Sequence, residues 1–433
     1  MKRNILVFPC GSEIALEVYR SVKDSTHFHL IGASSVDDHG KFVYEDYIGG
    51  LPFISSADFL PVIKKIVKER NIDAIYPAMD AVIEILKTNE SAIGCKVVSS
   101  PAETTQICLS KKKTYQVLST AIRTPAIYTK KFLLDDSSTN SFPVFAKPDI
   151  GYGSRGAKKI KTRSELKTHL ADYPSCILTE YLPGKEYTVD CFTNSNGELL
   201  FAKARERSRI MNGISVNTKP VVEKRELFHN FAEKINSVLT FEGAWFFQVK
   251  QDSESKLTLM EVASRFGGSS SLFRAEGVNF ALMSLFQAFD IPVSVIENNY
   301  PIEMDRALDN RYRISLKYDE IFVDFDDCIY LDKKNVNAEL VAFLYESLNK
   351  GIRVSLLTKH DDEKLGKLDD LLDKLRIRQI FDRILHIRPS ERKIDHIDNT
   401  NAIFIDDSFA ERKAVSEKWK MPVFSLDMIE VLR

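Results

Sequence analysis

The sequence predicts an α/β protein of three consecutive units, and three observations carry that expectation. From residue 4 to about 105, short apolar runs alternate with amphipathic stretches, the pattern of a parallel doubly wound sheet. From 106 to about 310, a glycine-rich stretch after a strand (FPVFAKPDIGYGSRG, 142–156) is followed by further strands and helices. A polar break at about 298–317 then leads into IFVDFDDCIYLD, an apolar strand ending in carboxylates that opens a small unit over 318–433.

Composition limits the function before any motif is read. The chain has 433 residues, 44% of them hydrophobic and 28% charged, the balance of an ordinary globular protein with several cores. Lys and Arg number 60 against 61 Asp and Glu, a net charge of -1. That argues against a dedicated nucleic-acid or membrane-surface protein. No apolar run approaches the roughly 20 residues that span a bilayer. The start, MKRNILVFPCGSE, reads as a first strand and not as a secretory leader. Cys10, Cys95, Cys108, Cys176, Cys191 and Cys328 form no C-x-x-C pair, which fits buried thiols in a reducing, cytoplasmic setting.

In the first unit, NILVF, HLIGAS, DAIYPAM and KVVSS read as strands. GSEIALEVYRSVK, the stretch from Ser56 to Arg70 and VIEILKTN read as helices. The turn Pro9-Cys10-Gly11-Ser12 sits where a helix N-terminus can take an anion, but its plainer reading is a tight strand–helix turn.

The second unit opens with Lys111, Lys112 and Lys113 at the start of a helix running to about Ala121. Such a run is ordinarily a solvated face. In the 142–156 stretch, Lys147 ends an apolar strand and Gly151, Gly153 and Gly156 punctuate the loop, with Ser154 and Arg155 inside it. Glycines let backbone N–H groups approach phosphate oxygens, and a lysine beside them supplies countercharge. The pattern is neither the Walker G-x-x-x-x-G-K-[ST] nor G-x-G-x-x-G. A helix near 164–171, strands CILTEY and YTVDCF, and a hairpin turn at 194–197 follow.

Lys203, Arg205 and Arg207 alternate along one strand and so share a face. Three cations there repel one another unless an anion lies opposite, and a polyphosphate or carboxylate would serve. The plain alternative is a solvated edge strand. On the strands GAWFFQVKQ and KLTLMEVAS, Gln248 and Glu261 offer oxygens that suit a hard cation such as Mg²⁺. Arg265 and the turn Gly267-Gly268-Ser269 come next, and a helix over about 279–289 closes the segment.

In the third unit one strand ends in Asp324, Asp326 and Asp327. A second ends at Thr358 with Lys359 and His360, and a third, AIFIDD, ends in Asp406 and Asp407. Carboxylates at the C-terminal ends of separate parallel strands mark the ligand edge of such a sheet, and a bound Mg²⁺ would relieve their repulsion.

With these residues in hand, two resemblances can be stated. Residues 1 to about 310 resemble an ATP-grasp enzyme of the carbamoyl-phosphate synthetase-like and carboxylate–amine ligase branch. SKKKTYQVLSTAIRTP, FPVFAKPDIGYGSRG, ILTEYLPGKEYTVD, GAWFFQVK and LMEVASRFGG occur in the family's order. The resemblance implies a doubly wound pre-ATP-grasp domain over 1–105 and an α+β ATP-grasp domain over 106–310. Lys111 and Lys147 would hold ATP phosphates under a loop containing Gly151, Gly153, Ser154, Arg155 and Gly156. Glu180, Tyr181 and Leu182 would border the adenine, with Glu186 on the ribose. Gln248 and Glu261 would bind Mg²⁺, or Mn²⁺ in its place. Arg205, Arg207 and Arg265 would face the γ-phosphate or the substrate carboxylate. The chain departs from the family's E-x-N-P-R at Ala263, which cannot ligate a metal, and has Ser110 where an aspartate usually precedes the first lysine.

Residues 318–433 resemble a small haloacid-dehalogenase-type (HAD) domain, a Rossmann-like fold. The first motif D-x-D-x-T stands as Asp324-Phe325-Asp326-Asp327-Cys328, and Thr358, Lys393 and Asp406-Asp407 match the other three. The resemblance implies that Asp324 is a nucleophile and Asp326 a general acid and base. Asp324, Asp326 (through its carbonyl) and Asp406 would be the metal ligands. Residues 329–357 leave room for little or no cap, so the site should be open.

Together these imply an ATP-dependent carboxylate–amine ligase working through an acyl phosphate, fused to a Mg²⁺-dependent phosphatase working through an aspartyl phosphate. Its partners would be a small carboxylate, an amine and a phosphorylated small molecule; a homodimer is compatible with this. The alternatives are a synthetase releasing a carbamoyl or acyl phosphate, and a nucleotide-binding protein with degenerate sites.

Overall fold

In the computed structural model, the run RNILVF forms β1 (Arg3–Phe8), the middle of a parallel sheet. Residues 2–135, 141–151, 156–211, 213–298, 300–308, 312 and 314–433 are described. With β2 (Phe28–Ala33), β3 (Asp46–Ile48), β4 (Ala74–Pro77) and β5 (Lys96–Val97), the sheet order is β3-β2-β1-β4-β5. Helix Glu13–Val22 is capped by Ser12, which accepts from the Ala15 N–H. It turns Ile14, Ala15, Val18 and Val22 inward. Helices Phe59–Glu69 and Asp80–Thr88 cover the opposite face.

Two further sheets complete the unit Met1–Asp309. The smaller holds β6 (Ile127–Tyr128), β7 (Val144–Pro148), β8 (Lys158–Ile160) and β9 (Cys176–Glu180), in the order β6-β9-β7-β8. The larger is built from β10 (Glu186–Thr193), β11 (Leu199–Met211), β12 (Ile214–Pro220), β13 (Gly243–Gln251), β14 (Leu257–Ala263) and β15 (Met304–Asp305). Its order is β14-β13-β10-β11-β12-β15.

The larger sheet has one dry face and one charged face. Val189, Cys191, Trp245, Phe247 and Val249 meet helix Arg225–Val238 through Phe228, Phe231, Ala232 and Ile235. Each such large side chain removed from water contributes about 1.5–3 kcal/mol. Because strand side chains alternate, the intervening Glu186, Thr188, Asp190, Arg205, Arg207, Gln248 and Glu261 are left on the other face. The first sheet shares a core with this part of the chain: Val7, Val18 and Tyr76 cluster with Phe201, Phe266 and Phe280.

The unit Asn310–Arg433 is a parallel sheet of β16 (Glu320–Val323), β19 (Arg353–Thr358), β20 (Arg383–His386), β21 (Ala402–Ile405) and β22 (Val423–Phe424), ordered β20-β19-β16-β21-β22. The segment between β16 and β19 holds only the hairpin β17 (Tyr330–Leu331) and β18 (Asn335–Val336) and helix Ala338–Asn349.

The segments differ from the sequence expectation mainly at their ends. The helix expected to reach Ala121 stops at Leu118, and KVVSS pairs only through Lys96 and Val97. The helix ends in a local turn, with the Ala121 and Ile122 N–H groups both donating to the Leu118 carbonyl, and the strand ends where its pairing to β4 ends.

Candidate functional sites

In the first unit, the smaller and larger sheets meet at Lys147. It sits near the end of β7, almost fully buried. Its Nζ donates to the Tyr115 hydroxyl at 2.6 Å and to the Met260 carbonyl at 3.3 Å. Burial, with Lys111 adding repulsion, lowers its pKa to about 8 against the pull of Glu261 and Glu186. Lys111 Nζ lies 3.2 Å from the Gly151 carbonyl and 3.4 Å from that of Asp149. Ser110, in the family's aspartate position, has a definite role here. It caps helix Lys111–Leu118 and donates to Asp149 at 2.9 Å, while Asp149 accepts from the Lys112 N–H at 2.7 Å. These contacts hold the start of the glycine-rich loop against the helix. Gly151 and Gly156 border that loop; Gly153, Ser154 and Arg155 lie outside the described residues.

Gln248 and Glu261 stand opposite each other in the β13–β14 ladder, on one face. Ala263 shares that face two residues on, opposite Phe246. A carboxylate and an amide oxygen side by side fit a hard cation that keeps several waters, so the donor set suits one Mg²⁺. Arg207 also reaches Gln248 Oε1, at 3.1 Å, and pairs with Glu186.

Of the two kinds of anion expected opposite Lys203, Arg205 and Arg207, the structure shows carboxylates of the chain itself. Lys203 pairs with Glu297 and, at 3.5 Å, with Glu276. Arg205 donates from Nε to Asp190 at 2.6 Å with both side chains buried. Arg207 takes Glu186, which also meets Lys250 at 3.6 Å. The charges that offset the row thus come from the chain itself, across strands and from residues 276 and 297. A Cβ on Gly267 would stand 2.7 Å from Arg205 Nη2 and 3.2 Å from Asp190 Oδ1, so a side chain there would press on the Arg205–Asp190 pair.

Arg265 leaves the β14 strand and grips Asp80 with Nε and Nη2, each at 2.8 Å. Asp80 opens the helix after β4, beside the point where the first sheet's strand order reverses. At that same edge the Pro9–Ser12 turn is filled from within: a Cβ on Gly11 would fall 2.0 Å from Asp38. Its plainer reading therefore holds. Glu180 accepts from Arg123 at 3.1 Å and from the Ala126 N–H at 3.3 Å. Tyr181 lies under Lys159, and Leu182 is buried.

The second unit gathers its own cluster at the C-terminal edge of three adjacent strands. Asp324 follows β16, Thr358 ends β19 and Asp406 follows β21. Lys393 Nζ lies 2.7 Å from Asp324 and 2.6 Å from Asp406, all three nearly excluded from solvent. Burial raises both carboxyls, opposed by Lys393. Burial works against the lysine cation too, but Asp324 and Asp406 outweigh it. The Thr358 hydroxyl is buried and has no hydrogen-bond partner among the described residues. Oxygen or sulfur atoms of Asp324, Cys328 and Asp407 lie within 4.8 Å of one another. The two carboxylates, though not the buried thiol, suit a hard cation beside Asp324. Asp407 joins this group although the expected ligand set has only Asp406. The Asp326 carboxylate is turned to His360, a partner the motif reading had not assigned.

Residues 172–309 match a family described as ATP-grasp in the biosynthetic pathway with Ter operon. Among solved structures, biotin carboxylase from Campylobacter jejuni, in a β-γ-ATP complex, is similar at 18% identity and a TM-score of 0.57. The match covers 68% of this chain and 72% of that one. L-amino acid ligase from Bacillus licheniformis matches at 17% identity and 0.55, covering 66% and 74%. N5-carboxyaminoimidazole synthetase from Staphylococcus aureus matches at 14% and 0.54, covering 69% and 81%. No curated protein matches the chain. Over residues 172–309 the chain carries an ATP-grasp domain, and a structurally similar biotin carboxylase domain, that of Hydrogenobacter thermophilus 2-oxoglutarate carboxylase, is complexed with MgADP. Among the described residues no helix is long and apolar enough to cross a membrane.

Proposed function

We propose that the first unit is an ATP-dependent carboxylate–amine ligase. The observation that carries this reading is Lys147, buried at the meeting of two sheets with Lys111 beside it and the Gln248–Glu261 pair on the neighbouring strands. A substrate carboxylate oxygen attacks the γ-phosphorus, the bond to the β–γ bridging oxygen breaks, and ADP leaves. An amine then attacks the acyl carbon, loses a proton, and expels phosphate to leave an amide. Lys147 and Lys111 hold the phosphates, and Arg265 lies at the acceptor side once it shares or releases Asp80. Mg²⁺, held by Glu261 and Gln248, supplies countercharge to the phosphates when bound. Positioning and charge neutralisation make up most of the protein's part in such a transfer.

We infer further that the unit Asn310–Arg433 is an open-site phosphatase of the HAD type. Asp324, Thr358, Lys393 and Asp406 converging on one sheet edge support it. An Asp324 oxygen attacks phosphorus and the ester P–O bond breaks with a proton from Asp326. Water then attacks the aspartyl phosphate, gives a proton to Asp326, and frees phosphate as the P–O bond to Asp324 breaks. Mg²⁺ beside Asp324 and Asp406 would offset the charge of the phosphoryl group.

The test is ADP and phosphate release with Mg²⁺-ATP and a panel of small carboxylates and amines. ADP that depends on one carboxylate–amine pair, lost in Lys147→Ala and kept in Asp324→Asn, supports the ligase. ADP with a carboxylate and no amine points to an acyl-phosphate synthetase. Ala263 favours another reading, nucleotide binding without turnover, which ATP binding with no ADP under any condition would establish.

A further inference from the structure

We propose that His360 is a positioning residue for Asp326, holding its carboxylate where it passes a proton to the leaving oxygen. This deepens, and rests on, the phosphatase reading of the second unit.

His360 follows β19 by two residues, and its side chain is 0% exposed while that of Asp326 is 28% exposed. Its Nδ1 lies 3.0 and 2.9 Å from the two Asp326 oxygens. Its Nε2 lies 2.7 Å from the Gly366 carbonyl. A carbonyl only accepts, so Nε2 carries a hydrogen. A hydrogen must also lie between Nδ1 and Asp326, because two facing lone pairs at 2.9 Å would repel. The ring is thus pinned at both nitrogens. Phe325 packs edge-on against it at 5.5 Å, and His386 Nε2 donates to the His360 carbonyl at 2.8 Å. Gly366 presents its carbonyl from a φ of +90°, a conformation that side-chain-bearing residues avoid. Asp362 is the other charged group near the ring, 4.0 Å from Nε2.

A partly exposed carboxylate on a loop rotates freely unless something holds it. Here a buried, doubly anchored ring does. The proton that Asp326 gives to the leaving oxygen, as the ester P–O bond breaks, then travels along a fixed direction. Its loss should matter only where the leaving group needs that proton.

Single-turnover release of the leaving group would be followed for an alkyl phosphate and for p-nitrophenyl phosphate, using the full chain. General acid catalysis is worth ~10²–10⁴-fold, so His360→Ala should slow alkyl release by roughly tenfold or more and leave nitrophenolate release within about twofold. His360→Asn, whose amide nitrogen can stand where Nδ1 stands, should recover part of the loss. Adding His360→Ala to Asp326→Ala should cost nothing more. Equal losses on both substrates, or none on either, overturn the proposal. Wild-type release that Asp324→Asn does not reduce, or no release at all, overturns the phosphatase reading itself, and the proposal with it.

Discussion

Arg265 and Asp80 form a two-pronged ion pair, with Nε and Nη2 of the arginine each 2.8 Å from a carboxylate oxygen. They are 185 residues apart in sequence and join the end of β14 to the helix that follows β4. A lysine cannot reproduce the planar fork. Arg265→Lys and Asp80→Asn should each destabilise the first unit by about 1–3 kcal/mol, read by denaturant unfolding. If Arg265 also meets substrate, Arg265→Lys should lower ADP formation more than Asp80→Asn does.

Lys147 carries a penalty for being charged and buried. Its pKa is lowered from 10.5 to about 8. The folded state therefore binds this proton less tightly than the unfolded chain. The destabilisation is fully present below about pH 8 and is relieved as pH rises toward 10.5. Lys147→Met should raise apo-protein stability at pH 7, by on the order of 3 kcal/mol at most, while abolishing ADP formation. The stability gap should narrow as pH rises. Tyr115 retains its bond to the Met260 carbonyl, so no polar group is orphaned.

Gln248 and Glu261 are register partners on one face, and Ala263 extends that face without a donor. Glu261→Gln should raise the Mg²⁺ concentration for half-maximal ADP formation by roughly tenfold, the effect of about 1.4 kcal/mol of lost coordination. Ala263→Asn should move it the other way. A Mg²⁺ titration of both variants checks this.

Lys393 is the countercharge for two buried carboxylates. Lys393→Met should destabilise the second unit by about 3–5 kcal/mol, since Asp324 and Asp406 are then left without it. Millimolar Mg²⁺ should restore part of that stability and EDTA should remove it again, as read by thermal unfolding. If Mg²⁺ has no effect on the variant, the carboxylates do not form a cation site.

The placement of many residues of both candidate sites was legible in the chain. Gln248 and Glu261 lie on strands whose pattern was plain, and period-two alternation put each on the polar face. Asp324, Thr358 and Asp406 could be named because each closes an apolar run. The partners were not legible. The row Lys203, Arg205 and Arg207 called for an anion opposite without naming it, because nothing nearby in sequence says that Glu297, Asp190 and Glu186 stand there. His360 looked like a residue beside a motif threonine until the fold placed it against Asp326, 34 residues earlier.

The sequence by itself determined the α/β class, the order of the segments, the strand that ends at Lys147-Pro148 and the carboxylates at strand ends. These follow from local apolar periodicity and turn chemistry, which each short stretch carries within itself. Only the tertiary structure decided which charges offset one another: Arg265 with Asp80, Arg205 with Asp190, Lys393 with Asp324 and Asp406, His360 with Asp326. Those pairings depend on strand register and on packing between distant elements. A buried charge is stable only beside the partner that this packing brings to it.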